Sequence, residues 1–441
     1  MPGGAGAFRA RVANQTGRRA CADRASVVNH ARPRLVVIGN GMAGMRAVEE
    51  LLQLAPGLYD ISVFGAEPYG NYNRILLSML LSGEKIIDEI MLHTPAWYAE
   101  HGVALHAGDP VVAIDRRRRR VHSRKGIELA YDRLLIATGS QPVMLPLPGN
   151  DLPGVIGFRG IDDVQQMLQA ASAYRRAVVI GGGLLGIEAA NGLSRRGMQV
   201  TLIHRSDVLL EQQLNADAAG LLSQHLQARG LSLRLKANTQ ALHGGERVEW
   251  VELADGSRIE AELVVMAVGV RPDIALAKSC GLYCERGIVV DDTLQTYDPH
   301  IYAVGECVQH RRLTFGLVAP VWEQARVCAS HLARVGHRRY RSVRTATKLK
   351  VTGIDLYSAG DVIGGAGTED LVLRDPRRGI YKRLVLKDNQ VIGAVLYGDV
   401  RDGGWYFELI EQGADIAGIR DRLLFGRQYC QAHAAQLEAT A

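Results

Sequence analysis

Arg34-Leu35-Val36-Val37-Ile38 is a short apolar run, and Gly39-Asn40-Gly41-Met42-Ala43-Gly44 follows at once. Apolar residues then recur at Met45, Val48, Leu51 and Leu52, the spacing of a helix with one buried face. Ile61-Ser62-Val63-Phe64 reads as a second strand, with Glu67 just beyond it. The same order of strand, glycine turn and helix returns at Ala177-Val178-Val179-Ile180 and Gly181-Gly182-Gly183-Leu184-Leu185-Gly186. Its second strand is Gln199-Val200-Thr201-Leu202-Ile203, ending in His204-Arg205. Residues 381–400 change period: apolar and polar residues alternate, with turn signals at Asp388-Asn389 and Gly398, which predicts a small antiparallel sheet.

Each glycine in the first turn has its own physical task. Gly39 permits the tight turn, Gly41 lets a pyrophosphate approach the backbone, and Gly44 lets helix and strand pack closely. The helix N-terminus then faces the phosphates, and Glu67 is placed to bind a ribose hydroxyl pair. In the second turn Gly181, Gly183, Leu185 and Gly186 take these positions, but no acid stands where a 2′-hydroxyl would be read. His204 and Arg205 either meet the 2′-phosphate of NADP or simply end a strand. Two dinucleotide units in one chain point to electron transfer between a bound flavin and an exchanging nicotinamide cofactor.

Composition narrows the setting. The chain has 441 residues, 47% hydrophobic and 22% charged, an ordinary globular profile long enough for two or three domains. Its 49 glycines against 14 prolines agree with many tight turns. The formal charge of +6 is confined to residues 1–34, which hold seven arginines and one acid, so the rest of the chain is balanced and a nucleic-acid partner is not indicated. Residues 1–33 read as a disordered Arg-rich tail, with a transit peptide as the alternative. No run reaches the roughly 18 apolar residues that span a bilayer. Six cysteines show neither disulfide-framework nor metal-ligand spacing, so a reducing, cytoplasmic setting without a structural metal is expected.

Three later segments carry a resemblance. Leu134-Leu135-Ile136-Ala137-Thr138-Gly139 and Leu263-Val264-Val265-Met266-Ala267-Val268-Gly269 end strands in small residues, and Ile301-Tyr302-Ala303-Val304-Gly305-Glu306 ends one in a Gly-acid pair. In this order they resemble the two-dinucleotide-domain flavoproteins of the pyridine nucleotide-disulfide oxidoreductase superfamily. Asn71-Tyr72-Asn73-Arg74-Ile75-Leu76-Leu77-Ser78, Gly305-Glu306-Cys307, Phe315-Gly316-Leu317-Val318-Ala319-Pro320 and Thr347-Lys348-Leu349-Lys350-Val351-Thr352-Gly353 look like the flavin-binding part of assimilatory NAD(P)H-dependent nitrite reductase large subunits.

The resemblance implies an α/β fold: two Rossmann-like, glutathione-reductase-like dinucleotide-binding domains and a small α+β C-terminal domain. It divides the chain into an FAD-binding domain (34–150 and 270–335), an NAD(P)-binding domain (151–269) and an interface domain (336–430). Gly39, Asn40, Gly41, Ala43, Gly44, Glu67, Arg74, Val111, Ala137, Thr138, Gly139, Gly305, Glu306 and Ala319 are expected around FAD. Gly181, Gly183, Leu185, Gly186, Glu188, Arg205 and Gly269 are expected around NAD(P)H. Arg74 is alternatively a surface cation, and Trp322 either shields the flavin or is a core residue. Most relatives carry Asp where this chain has Glu306.

Absences matter too. No cysteine pair flanks the flavin, and Met79 stands where NADH oxidases place a cysteine and oxygenase-type ferredoxin reductases a lysine. Cys280, Cys284 and Cys307 read as structural. Nitrite reductase large subunits also carry cysteine clusters for an iron–sulfur centre and sirohaem, which this sequence lacks, so electrons are expected to pass to a separate protein with a metal centre. The basic residues Arg334, Arg338, Arg339, Arg341, Arg344, Lys348 and Lys350 form either a docking face for an acidic acceptor or a solvated linker. Arg116 to Arg120 read as a mostly solvated hairpin turn. A ferredoxin or rubredoxin reductase, and a redox-sensing scaffold, remain as alternatives; monomer and homodimer are both open.

Overall fold

A computed structural model describes residues 32–316, 318–342, 346–349 and 353–431. The Arg-rich tail to residue 31, Leu317, Arg344, Lys350, Val351 and Thr352 lie outside the described residues.

The apolar run Arg34–Ile38 is the central strand of a five-stranded parallel sheet in the order Ile301–Ala303, Arg133–Ile136, Arg34–Ile38, Asp60–Phe64, Val103–His106. Leu35, Val36 and Val37 are wholly buried, as expected of a strand covered on both faces. The helix Met42–Leu54 follows and buries Met45, Val48 and Leu51. Full burial of such a side chain stabilises by about 1.5–3 kcal/mol. A second parallel sheet repeats the plan in the order Ser232–Arg234, Gln199–Ile203, Arg176–Ile180, Leu263–Met266, Val155–Gly157.

The two sheets match in register. Ile38 lies level with Phe64 and Ile136, and Ile180 with Ile203 and Met266. At the strand ends Gly39 N–H donates to Phe64 O and Gly181 N–H to Ile203 O, both at 2.8 Å. Both glycine turns therefore leave the carboxyl ends of central parallel strands, where open α/β sheets bind ligands. The whole second sheet is inserted in the chain before the last strand of the first, Ile301–Ala303.

A third, antiparallel sheet runs Ala346–Lys348, Leu356–Gly360, Gln390–Tyr397, Ile380–Lys387, Glu369–Asp375. Asp388 (φ 49°) and Asn389 (φ 55°) form its two-residue hairpin turn, both left-handed as a type I′ turn demands. The sheet is tied to the second fold where Asn215 donates to the Tyr381 hydroxyl at 2.8 Å and His225 meets the Tyr397 hydroxyl at 2.9 Å. In the arginine run, only Arg117, Arg118, Arg119 and Arg120 are exposed. Arg116 is half-buried, pairing with Asp298 at 2.9 Å beneath the Tyr297 ring, so it braces the hairpin against the segment before the last strand.

Candidate functional site

Both glycine turns open into one cleft of 1890 Å³, above the roughly 300–1,000 Å³ of a pocket for one drug-sized ligand. Gly39 (φ +117°) and Gly181 (φ +121°) begin the turns, and a Cβ there would lie 2.1 Å from Ala137 O and 2.3 Å from Ala267 O. Gly44 and Gly186 pack against the turns themselves: a Cβ would lie 2.4 Å from Gly39 O and 1.9 Å from Gly181 O. These two support the cleft from behind and do not line it. Gly41 and Gly183 differ, since a Cβ on either would meet no heavy atom within 4 Å. Each is the N-cap of its helix, and no side chain caps either helix. The first N–H groups are thus presented to the cleft, which suits an anion such as a pyrophosphate.

The side chain of Asn40 is committed to the protein. Its Oδ1 accepts from the Tyr98 hydroxyl at 2.8 Å, its Nδ2 donates to Tyr69 O at 3.2 Å, and its carbonyl accepts from Asn71 Nδ2 at 3.0 Å. Asn71 is held in turn by His93 at 3.2 Å, whose Nε2 lies 2.8 Å from Glu49. Burial raises the Glu49 pKa, but the bond to His93 and the charges of His93 and Arg46 outweigh it, so the carboxyl titrates below its usual range. This buried network fixes the turn, and Asn40 acts through its backbone.

A chain of charged contacts runs along the cleft wall. Glu67 Oε2 accepts from Arg74 Nη2 at 3.0 Å, and Arg74 Nη1 donates to Arg159 O at 3.0 Å. The Arg159 guanidinium pairs with Glu306, whose Oε2 also accepts from Ser140 Oγ at 2.7 Å. Arg74 lies over the Tyr72 ring, 4.8 Å from its centroid, and so is not a free surface cation. The Glu306 carboxylate thus meets both Arg159 and Ser140. Arg159 and Ser140 were missed by sequence reasoning because their partner is remote; only the position of Ser140 directly after Gly139 hinted at it.

Ala43, Val111, Ala137, Thr138, Gly139, Gly269, Gly305, Ala319, Leu185, Glu188 and Arg205 all line the same cleft. Thr138 Oγ1 donates to Asp273 O at 2.7 Å, and Gly305 N–H to Gln324 Oε1 at 2.7 Å, holding the two small-residue turns rigid. Trp322 is outside the cleft wall, half-buried with Arg46 over its ring at 5.9 Å, so neither expectation for it fits in full. Met79 does not line the cleft, whereas its neighbour Ser78 does, and Ser78 Oγ is buried without a hydrogen-bond partner. No cysteine lines the cleft among the described residues. Cys307 is wholly buried, and burial pushes its thiol up to about 11, which leaves it protonated and inert at neutral pH. Of the two readings of His204, the structure agrees with a plain strand end: its ring is buried, with Nδ1 accepting Gly182 N–H at 3.1 Å, so it does not form an exposed basic pair with Arg205. Among the described residues no group of His, Cys, Asp and Glu is arranged to hold a metal ion, and no helix is long and apolar enough to cross a membrane.

Two uncapped helix ends at the carboxyl ends of two parallel sheets, with the Glu67 carboxylate in the same cleft wall, define a protein built for two dinucleotides. The residues fit such ligands: open backbone at Gly41 and Gly183, the Glu67 carboxylate in the cleft wall beyond the second strand, and Glu306 beside Gly305. The chain belongs to the pyridine nucleotide-disulphide oxidoreductase family, whose model matches residues 33–348. Residues 346–414 match the rubredoxin NAD+ reductase C-terminal domain. The chain is 45% identical over 386 residues to a nitrite reductase [NAD(P)H] of Bacillus subtilis (strain 168), covering 88% of this chain and 48% of that one. It is 42% identical over 393 residues to the assimilatory nitrate reductase electron transfer subunit of the same organism, covering 89% and 51%. The chain thus spans about half the length of these relatives. Among solved structures, the covalent putidaredoxin reductase–putidaredoxin complex superposes with a TM-score of 0.78 at 26% identity, over 87% of this chain and 94% of that one.

Proposed function

We propose that this chain is an FAD-dependent NAD(P)H oxidoreductase that passes electrons to a separate redox protein, as the electron-transfer component of an assimilatory nitrite or nitrate reductase. The observation that carries this reading is the opening of two equivalent glycine turns into one continuous cleft, which lets two dinucleotides meet. Bound FAD would supply the hydride-accepting and one-electron-releasing chemistry. The protein's part is to bind and orient.

The N–H groups behind Gly41 would hold the FAD pyrophosphate, and Glu67, positioned by Arg74, would accept from the ribose hydroxyls. Glu306, steadied by Arg159 and Ser140, accepts from the ribitol. Ala137, Thr138, Gly139, Val111 and Ala319 shape the rest of that side. Gly183 and the N–H groups behind it hold the second pyrophosphate, while Leu185, Gly269 and Glu188 border the nicotinamide end. Among the described residues no thiol stands in the cleft wall that could serve as a cysteine relay. The described residues of the basic stretch agree with a docking role: Arg334, Arg338, Arg339 and Arg341 are exposed, and Lys348 stands in the cleft wall.

Purified protein should show flavin absorbance and be bleached rapidly by NADH or NADPH in a stopped-flow instrument. Absence of flavin ends this reading, and sluggish bleaching with a persistent charge-transfer band favours a sensor instead. The match of residues 346–414 to a rubredoxin reductase domain supports a second acceptor class. Reoxidation of the reduced protein by rubredoxin, by a [2Fe–2S] ferredoxin and by a sirohaem-containing nitrite reductase separates the two.

A further inference from the structure

At the end of the second sheet, the loop after Gln199–Ile203 folds back over its glycine turn. Leu209 and Leu210 are buried, and Leu210 (φ 54°) donates its N–H to Gly182 O at 3.0 Å. Gln213 and Leu214 donate back to Leu210 O at 2.7 and 2.9 Å, closing a tight turn. This anchorage sets Glu211 in the cleft wall. Its carboxylate lies 3.6 Å from His204 Nε2 and 3.5 Å from Arg205 Nη2.

The neighbouring histidine and arginine are unequal. His204 Nδ1 accepts from Gly182 N–H, which places the ring proton on Nε2 and makes the imidazole neutral. Burial lowers its pKa in the same direction. Nε2 is buried with no hydrogen-bond partner, its proton facing the Glu211 side. Arg205 is the one Arg or Lys in the cleft wall between residues 180 and 270, and Glu211 already offsets its charge. Lys236 turns instead to Asp207 at 3.5 Å. By the register match of the two sheets, this wall corresponds to the one where Glu67 stands in the first fold. It offers a carboxylate to a ribose hydroxyl, and a like charge to a phosphate.

We infer that Glu211 is the coenzyme-specificity residue: its carboxylate accepts the 2′-hydroxyl of NADH and repels the 2′-phosphate of NADPH. The acid absent from the strand end is supplied by the following loop. The inference rests on the second glycine turn being the nicotinamide dinucleotide site.

The test titrates oxidised holoprotein calorimetrically with 5′-AMP and 2′,5′-ADP, and measures reduction by NADH and NADPH, for wild type, Glu211→Gln, Glu211→Asp and Arg205→Ala. Wild type should bind 5′-AMP more tightly than 2′,5′-ADP. Glu211→Gln should tighten 2′,5′-ADP about tenfold, the scale of one screened charge contact, and lower the KM for NADPH more than it changes kcat. Glu211→Asp keeps the charge and should keep the preference, as should Arg205→Ala. A wild type that prefers 2′,5′-ADP overturns the assignment, as does an unchanged ratio in a Glu211→Gln protein with intact flavin absorbance. Binding of neither nucleotide removes the second dinucleotide site itself and the assignment with it, an outcome distinct from binding of both without preference.

Discussion

Gly39 and Gly41 stand two positions apart and set opposite demands on a side chain. Gly39→Ala would drive a Cβ to 2.1 Å from Ala137 O at a φ of +117°, and the backbone strain alone costs about 1–3 kcal/mol. Thermal unfolding should register that loss whether or not flavin is present. Gly41→Ala meets nothing in the protein, so the apoprotein's melting temperature should hold while the fraction of flavin retained through gel filtration falls. Equal melting losses in both variants would contradict the distinction. Arg159→Gln removes the partner of Glu306 and should lower flavin retention, with Arg159→Lys recovering part of it; unchanged retention in Arg159→Gln would remove this arginine from the site. Gly39 and Gly44 were legible in the sequence because no other residue accepts that φ or that proximity. Arg159 and Glu211 were not, because each matters through a neighbour that only the fold brings near. Which of the two readings of His204 applies was not legible for the same reason, since burial and one backbone N–H decide it.

Among the elements, strands that run directly into glycine turns were legible, as was the hairpin at Asp388-Asn389, whose residue types suit a type I′ turn. Three-residue strands such as Val155–Gly157 were not, being too short to carry a period. The hairpin's sheet also holds a buried ion pair with a pH signature. Lys382 Nζ lies 2.9 Å from Asp399, with side chains 6% and 14% exposed. Hydrogen bonds from Arg401 and then Lys382 outweigh burial and hold the Asp399 carboxyl far below its usual range. A native pKa depressed in this way stabilises the fold above the unfolded value of about 3.9 and ceases to do so as pH falls through the native one. Asp399→Asn leaves the buried Lys382 with only the longer contact to Asp402, at 3.9 Å, so urea unfolding at pH 7 should show a loss of about 1–3 kcal/mol. That gap to wild type should shrink steadily as the pH is lowered below about 4. A gap independent of pH would mean that the pair's charge is not what stabilises the sheet.

Across the whole molecule, charge and site separate. The net +6 resides in residues 1–34, whereas the cleft wall, among the described residues, begins at Ile38. Removal of residues 1–31 should therefore leave flavin content and the rate of reduction by NADH unchanged. A fall in either would tie the tail to the cleft. The two-fold plan was legible at this scale because each half repeats the same pattern, but the seating of the antiparallel sheet on the second fold was not, since it depends on Tyr381 and Tyr397 meeting Asn215 and His225. The insertion of one sheet inside the other also orders events in time. The five strands of the second parallel sheet all lie between Val155 and Met266 and complete it without help from either end of the chain. The surrounding sheet has four of its strands by Ile136 but waits for Ile301–Ala303. At ribosomal speeds of about 5–20 residues per second that wait lasts roughly 10–30 s. The nascent chain thus exposes the edge of Arg133–Ile136 while the inserted fold closes first and shortens the loop that must return. A folding defect in the inserted half should for that reason appear as aggregation of the half that was made before it.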